Sequence, residues 1–179
     1  ALALDNVSNY YFKNVTFDAS NASDGQGVNM KGRCVNIEFR NCKILASPTT
    51  SSSTHYAFYK MSGSVCDSIR LIGNLISGGY YGLYFYGSGT GIGGYNTNIY
   101  IDSNIIEKAY YYSHYFYYTD LNSFSANKIY PRSGNTYHYM YFYYTNHYHT
   151  VGNTWNMANT NIEYGYNYFY YSQYYNYTA

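Results

Sequence analysis

The chain has 179 residues, of which 31 are tyrosine, and a formal net charge of +1. Only 11% of its residues are charged, against about 25% in an ordinary soluble domain, so no basic surface for nucleic acid is predicted. No apolar run reaches the roughly 18 residues of a spanning helix, which argues against membrane insertion. The composition also excludes collagen, and it leaves a β-rich protein with more tyrosine than a core can use.

A strand–bend–strand motif recurs six times along the chain. It has mostly apolar residues at positions 0, 2 and 7 and a small or polar pair at positions 4 and 5. The copies start at Tyr10, Ile37, Ile69, Ile99, Asn122 and Tyr148, at spacings of 23 to 32 residues. Alternation at positions 0 and 2 is typical of a strand with one inward face, and the small pair favours a tight bend. Each copy therefore predicts one coil of a solenoid.

A second strand register, centred on phenylalanine, lies between these motifs. Its centres are Phe58, Phe85, Phe116, Phe142 and Phe169. Because side chains of a strand alternate between faces, an inward phenylalanine places its neighbours outward. In the same alternation, Gly82 and Ser113 are predicted to share a column with Tyr139 and Tyr166. The predicted ligand-binding tyrosines are Tyr84, Tyr86, Tyr115, Tyr117, Tyr139, Tyr141, Tyr143, Tyr166, Tyr168 and Tyr170.

Position 5 of the motif predicts an asparagine ladder. It is asparagine in four successive copies, at Asn74, Asn104, Asn127 and Asn153. In coils stacked about 4.8 Å apart, each amide can donate to one neighbour and accept from the other. The plainer interpretation is that asparagine is abundant here and favours turns in any case.

Two cysteines occupy equivalent places in neighbouring coils. Cys34 and Cys66 each precede a motif start by three residues. Their predicted separation is within the range of a disulfide, but a stack of two reduced thiols fits the same spacing. Both alternatives stay open at this point, and Cys42, at the ladder position, is expected to be free.

The combined pattern resembles the right-handed parallel β-helix of the pectate-lyase-like superfamily, through its Ile-x-Ile-x-x-Asn-x-Ile coil motif. The resemblance implies an all-β solenoid of about six coils, with residues 1–179 as one domain. The chain begins almost at its first coil and ends just after its last strand. We therefore expect a piece of a longer chain, or coils capped by assembly into an oligomer such as a homotrimer.

The superfamily contains polysaccharide lyases and glycoside hydrolases, so the resemblance makes the placement of acidic residues in the predicted columns informative. Asp67 and Asp120 share a column but lie two coils apart, with Thr97 between them, and Asp102 lies elsewhere in the motif. Hydrolysis requires two carboxylates about 5 to 10 Å apart, and no column stacks two carboxylates on neighbouring coils. His147 and His149 are expected on one face of a strand, without further metal ligands nearby. The sequence favours a non-catalytic protein without metal or cofactor.

The surroundings of the tyrosines indicate binding. Tyrosine set among serine, asparagine and glycine is the composition of antibody paratopes, and tyrosine rings also stack on sugars. We expect a secreted or surface-displayed β-solenoid, of the adhesin or phage receptor-binding type, whose tyrosines bind a glycan or a protein partner by stacking.

Two alternatives compete with this interpretation. One is a polysaccharide lyase or glycoside hydrolase whose acids converge from loops. The other is a binding protein varied by a diversity-generating retroelement, because tyrosine, asparagine, histidine, serine, aspartate and phenylalanine are all reachable from an asparagine codon by changing adenines.

Overall fold

The computed structural model describes residues 1–23, 25–134, 137–156, 164–174 and 177–178. For residues 137, 164–167, 174 and 177–178 it describes the backbone alone. These parts of the chain form β-strands and contain no helix.

The strands are short and follow one another closely. The first ten are β1 (Leu2–Asp5), β2 (Ser8–Lys13), β3 (Thr16–Ala19), β4 (Gln26–Lys31), β5 (Val35–Arg40), β6 (Lys43–Ala46), β7 (Tyr56–Lys60), β8 (Asp67–Ile72), β9 (Leu75–Ser77) and β10 (Tyr81–Tyr86). They are followed by β11 (Asn96–Asp102), β12 (Ile105–Glu107), β13 (Tyr112–Ser125), β14 (Lys128–Tyr130), β15 (Tyr137–His147), β16 (Thr150–Val151), β17 (Thr154–Trp155), β18 (Tyr164–Tyr170), β19 (Gln173–Tyr174) and β20 (Tyr177–Thr178).

Every strand pair is parallel, and each strand pairs with its counterpart one coil away. The first face of the solenoid contains β1, β4, β7, β10, the first halves of β13 and β15, and β18. The second face contains β2, β5, β8, β11, the second halves of β13 and β15, and β19, and the third contains β3, β6, β9, β12, β14 and β17. The predicted all-β solenoid of about six coils is confirmed.

The bend between the second and third faces explains the small pair of the motif. Position 4 has a positive φ, between 53° and 67°, in all six coils. Only small or polar residues adopt this conformation readily. The six residues are Asn14, Asn41, Gly73, Ser103, Ala126 and Gly152.

An asparagine ladder runs along this bend. Asn74 Nδ2 donates to Asn104 Oδ1 (3.0 Å), and the same bond joins Asn104 to Asn127 (3.1 Å) and Asn127 to Asn153 (2.9 Å). Each of these Oδ1 atoms also accepts the backbone N–H of the preceding ladder residue. Each donor Nδ2 atom donates a second bond to a backbone carbonyl, such as that of Leu71 for Asn104. The amide oxygens therefore satisfy buried backbone N–H groups of the bend.

The inward columns are apolar, with two departures from the predicted register. At position 7 the core residues pair in one column from Phe17 to Trp155. In the fifth coil, however, Leu121 rather than Asn122 pairs with Ile99, because a register shift in β13 keeps the amide out of the apolar interior. In the sixth coil the equivalent residue is His147, and Tyr148 is 40% exposed.

The phenylalanine register is also displaced in one coil. Phe58 pairs with Leu83, whereas the partner of Phe85 is Lys60. Lys60 is completely buried, and its amine donates to the carbonyls of Ser64 (2.6 Å) and Tyr86 (3.0 Å). These bonds replace the water that the amine loses, although burial still lowers its pKa.

The cysteines are free thiols. Cys34 and Cys66 lie in neighbouring coils, where the backbone N–H of Asp67 donates to the carbonyl of Cys34 (3.1 Å). Both side chains are buried, as is Cys42. The spacing allowed either a disulfide or two stacked thiols, and in the structure Cys34 and Cys66 are stacked thiols.

Removal of a single amide from the ladder should lower the stability of the protein markedly. Asn104→Ala leaves the buried N–H of Asn74 without its partner, at about 1–3 kcal/mol, and removes one of the two acceptors of Asn74 Nδ2. We expect the free energy of unfolding, measured with urea, to fall by about 1–3 kcal/mol. Asn122→Ala, outside the ladder, is the matched control and should change it by less than about 0.5 kcal/mol. Equal losses in the two variants would contradict a structural role of the ladder.

Candidate functional site: the tyrosine face

The outward side of the first face is covered by tyrosine in three adjacent columns. We call these residues the tyrosine face. The middle column contains Tyr59, Tyr84, Tyr115, Tyr141 and Tyr168, and one flanking column contains Tyr86, Tyr117, Tyr143 and Tyr170. The other flanking column contains Tyr56, Tyr81, Tyr112 and Tyr139. In-register parallel pairing alone places these residues on top of one another.

The third column differs from the predicted one. Tyr139 pairs with Tyr112 and, through it, with Tyr81, whereas Gly82 and Ser113 are buried. In these coils two successive residues turn inward between the outward tyrosines, so the strand alternation is interrupted. A Cβ atom on Gly82 would come within 2.5 Å of the Ser113 carbonyl oxygen, so only glycine fits there. The repeated Tyr-x-x-Tyr spacing at Tyr56, Tyr81 and Tyr112 was the available signal in the sequence.

Within the columns most neighbouring rings lie face to face, whereas Tyr59–Tyr84 and Tyr112–Tyr139 are tilted, at 55° and 35°. In the middle column the ring centroids are 4.9 Å apart for Tyr84–Tyr115, 4.5 Å for Tyr115–Tyr141 and 4.8 Å for Tyr141–Tyr168, with interplanar angles of 6°, 5° and 1°. In the flanking column the Tyr117–Tyr143 distance is 4.4 Å. Most ring faces are therefore covered by tyrosines of the neighbouring coils. The ring edges and the hydroxyl groups, at the outer ends of the side chains, remain for a ligand.

The columns are held at a regular distance from each other. Across one coil the centroids are 6.2 Å apart for Tyr84–Tyr86, 6.3 Å for Tyr115–Tyr117 and 6.0 Å for Tyr141–Tyr143. Because each ring packs against neighbours along and across the solenoid, its rotamer is fixed before any ligand arrives. The face is thus a preorganised grid of phenol groups.

The phenols of Tyr84, Tyr112 and Tyr115 are neutral. Burial, with a smaller contribution from neighbouring phenols, raises the pKa of Tyr112 to about 12. The pKa values of Tyr84 and Tyr115 are raised by the same two causes. The hydroxyl groups consequently keep their protons at physiological pH and both donate and accept hydrogen bonds.

A further column of tyrosines, with strained backbones, lies next to the tyrosine face, at the bend between the first and second faces of the solenoid. Tyr118, Tyr144 and Tyr171 have φ values of 50°, 49° and 47°, which cost a bulky residue roughly 1–3 kcal/mol. Each packs edge-on against the tyrosine before it, and the Tyr144 and Tyr171 rings stack at 4.7 Å. Sequence reasoning missed this column, because nothing in a Tyr-Tyr pair indicates a positive φ.

The acidic residues form hydrogen bonds between coils. Asp67 accepts bonds from Thr97 Oγ1 (2.8 Å) and Asn98 Nδ2 (2.7 Å) in the next coil. Asp102 accepts one from Ser123 Oγ (2.6 Å), and Asp120 accepts one from Asn146 Nδ2 (2.6 Å). These aspartates thus stabilise the stacking of coils, and among the described residues no three histidines, cysteines or acids lie close enough to hold a metal ion.

Three of the five histidines lie deep inside the solenoid, and His55 is buried as well. His114, His138 and His147 are almost completely buried, whereas His149 is exposed, so the two histidines of the His-x-His pair do not share a face. The chain leaves strand β15 at His147, which ends the alternation. Burial lowers the pKa of His138 to about 4 and that of His147 to about 3. In the described part of the chain, neither ring nitrogen of His138 has a hydrogen-bond partner.

Nine of the ten predicted binding tyrosines are described with their side chains, and the tyrosine face contains all nine. The side chain of Tyr166 lies outside the described residues. No helix in the described ranges is long and apolar enough to cross a membrane. Comparisons with family models, curated proteins and solved structures give no significant match.

Because burial lowers the pKa of the inner histidines, we expect the protein to be less stable at acidic pH. The pKa of His138 is about 4 when folded, against an ordinary value of 6.5, so between these values the unfolded chain binds more protons than the folded one. The free energy of unfolding should therefore fall by a few kcal/mol as the pH drops from 6.5 to 4. His138→Met should reduce this fall, as measured by urea unfolding at both pH values. An unchanged pH dependence in the variant would contradict the assignment to His138.

Proposed function

We propose that this protein is a non-catalytic binding protein, a right-handed β-helix of the pectate-lyase-like type that presents its tyrosine face to a glycan or a protein partner. The setting we propose is secreted or surface-displayed, as in adhesins and phage receptor-binding fibres. The observation that carries the proposal is the uncharged, contiguous grid of tyrosines on a rigid parallel sheet. Contiguous exposed aromatic surfaces of this kind usually mark interaction sites.

The rigidity of the grid favours binding. A side chain that is free before binding loses rotamer entropy when a ligand immobilises it. The rings of Tyr115, Tyr141 and Tyr143 are already held by stacking on both sides or across the coil. Their contribution to affinity is therefore not reduced by further ordering.

The ring geometry changes the expected mode of contact. Stacking of a sugar on a tyrosine needs a free ring face, but Tyr115 is covered by Tyr84 on one side and Tyr141 on the other. The remaining contacts are hydrogen bonds through the hydroxyl groups and contacts with the electropositive ring edges. A ligand rich in hydroxyl or carbonyl oxygens matches both.

Catalysis is less well supported than binding. Asp67, Asp102 and Asp120 are each engaged in hydrogen bonds between coils rather than paired across a cleft. The tyrosine face itself supplies only phenols, and the raised pKa values of Tyr84 and Tyr115 make these two poor bases near neutral pH.

A substitution that removes only hydroxyl groups tests this mode of contact. Tyr115→Phe/Tyr141→Phe/Tyr143→Phe keeps the stacked rings and removes three hydroxyls. Retention should be measured on immobilised neutral and acidic polysaccharides and on an array of cell-surface glycoproteins. We expect affinity for whichever of these retains the wild type to fall by roughly a hundredfold, at about 1 kcal/mol per lost hydrogen bond.

The control carries the same chemical change on another face, as Tyr10→Phe/Tyr11→Phe/Tyr100→Phe, and should bind like the wild type. Equal binding by the two triple variants would refute contact through the tyrosine hydroxyls. Release of reducing or unsaturated sugar ends by the wild type would refute the non-catalytic assignment.

A further inference from the structure

The stacked columns bring chemically reactive phenols of different coils together. Tyr115 and Tyr141 are 26 residues apart in sequence, yet their rings are parallel with centroids 4.5 Å apart. Tyr117 and Tyr143 repeat this arrangement at 4.4 Å, and Tyr86 and Tyr117 do so at 4.4 Å one coil earlier. Such contacts join neighbouring coils along the whole tyrosine face.

We propose that these stacked pairs are sites of oxidative cross-linking, at which a peroxidase and hydrogen peroxide join tyrosines of neighbouring coils as dityrosine. The peroxidase haem, oxidised by hydrogen peroxide, removes one electron from each of two phenols. Each phenol releases its hydroxyl proton to solvent. The two phenoxyl radicals couple through a carbon–carbon bond between ring positions ortho to the oxygens. Each ortho hydrogen then returns to an oxygen. Two tyrosines and one hydrogen peroxide thus give one dityrosine and two waters.

The geometry favours this reaction over its competitors. The rings of Tyr115, Tyr117, Tyr141 and Tyr143 are partly exposed, so an oxidant can reach them. A phenoxyl radical formed on any of them already has a second phenol in contact, whereas coupling to another molecule requires a collision. The three cysteines are buried thiols that lie outside the strands and do not belong to the grid.

A covalent bond between coils has a structural consequence. Like a disulfide, it closes a loop in the unfolded chain and so disfavours unfolding. The bond between Tyr115 and Tyr141 closes a whole coil. Oxidation of the face should therefore raise the melting temperature of the protein while the sheet keeps its register.

The distribution of lysine and arginine makes the cross-links easy to locate. After denaturation, trypsin cleavage at Arg70, Lys108, Lys128 and Arg132 places β10, β13 and β15 in the separate peptides 71–108, 109–128 and 133–179. The dilute protein is treated with horseradish peroxidase and hydrogen peroxide, and its monomer is digested and analysed by mass spectrometry. We expect peptide 109–128 joined to peptide 133–179, lighter by two hydrogen atoms than the sum of the two, together with dityrosine fluorescence.

Two variants that each lack two tyrosines test whether the cross-link forms in the stacked columns. Tyr141→Phe/Tyr143→Phe should lower the yield of this joined peptide, because phenylalanine forms no phenoxyl radical and, among the described residues, only the tilted pairs Tyr111–Tyr139, Tyr112–Tyr139 and Tyr118–Tyr144 remain to join the two peptides. Tyr10→Phe/Tyr11→Phe, on the second face, should retain it in full, and circular dichroism at 25 °C establishes that both variants are folded. Equal yields from the two variants would overturn the proposal. It would also be overturned if dityrosine formed only in covalent dimers, or if oxygen were added to methionine and tryptophan without loss of hydrogen. These results do not depend on any ligand, so they are independent of the proposed binding function.

Discussion

The structure depends on in-register parallel hydrogen bonding between coils. Once Ile37, Ile69 and Ile99 pair in sequence, every other position of the coil is placed above its counterpart as well. Apolar residues then form continuous columns inside, and polar residues form columns at the bends. A polar group buried at a bend must find a hydrogen-bond partner in the neighbouring coil. The asparagine ladder supplies this partner, because the amide of each coil bonds to the equivalent amide of the next.

The same constraint determines the chemistry of the surface. Tyrosines at equivalent positions of successive coils are brought close enough for their rings to stack, so each ring covers the face of the next. A surface that is aromatic in composition consequently offers mainly hydroxyl groups and ring edges. Both the proposed mode of binding and the proposed cross-linking follow from this single arrangement, although one uses the outer ends of the rings and the other uses their mutual contact.

Local departures from the repeat occur where regular alternation would bury an unsuitable group. The register shift in β13 keeps Asn122 out of the core, and the two successive inward residues before Tyr84 are a glycine and a leucine. Lys60 is the exception, because it occupies a core column and its amine is satisfied by carbonyl oxygens instead. Sequence patterns did not reveal these adjustments, since in runs such as Tyr110-Tyr111-Tyr112 several registers place a tyrosine outward equally well.

The sequence by itself determined the all-β solenoid, the number of coils, the inward column from Phe17 to Trp155 and the ladder of Asn74, Asn104, Asn127 and Asn153, because these depend on strict spacing and on residue types with few alternatives. It also identified the outward tyrosines of the later coils. Only the tertiary structure decided which tyrosines share a column, that Tyr118 and Tyr144 adopt positive φ values, and that the ring faces cover one another. The physical reason is that strand alternation specifies the side of the sheet on which a residue lies, whereas ring orientation is set by packing against residues a full coil away.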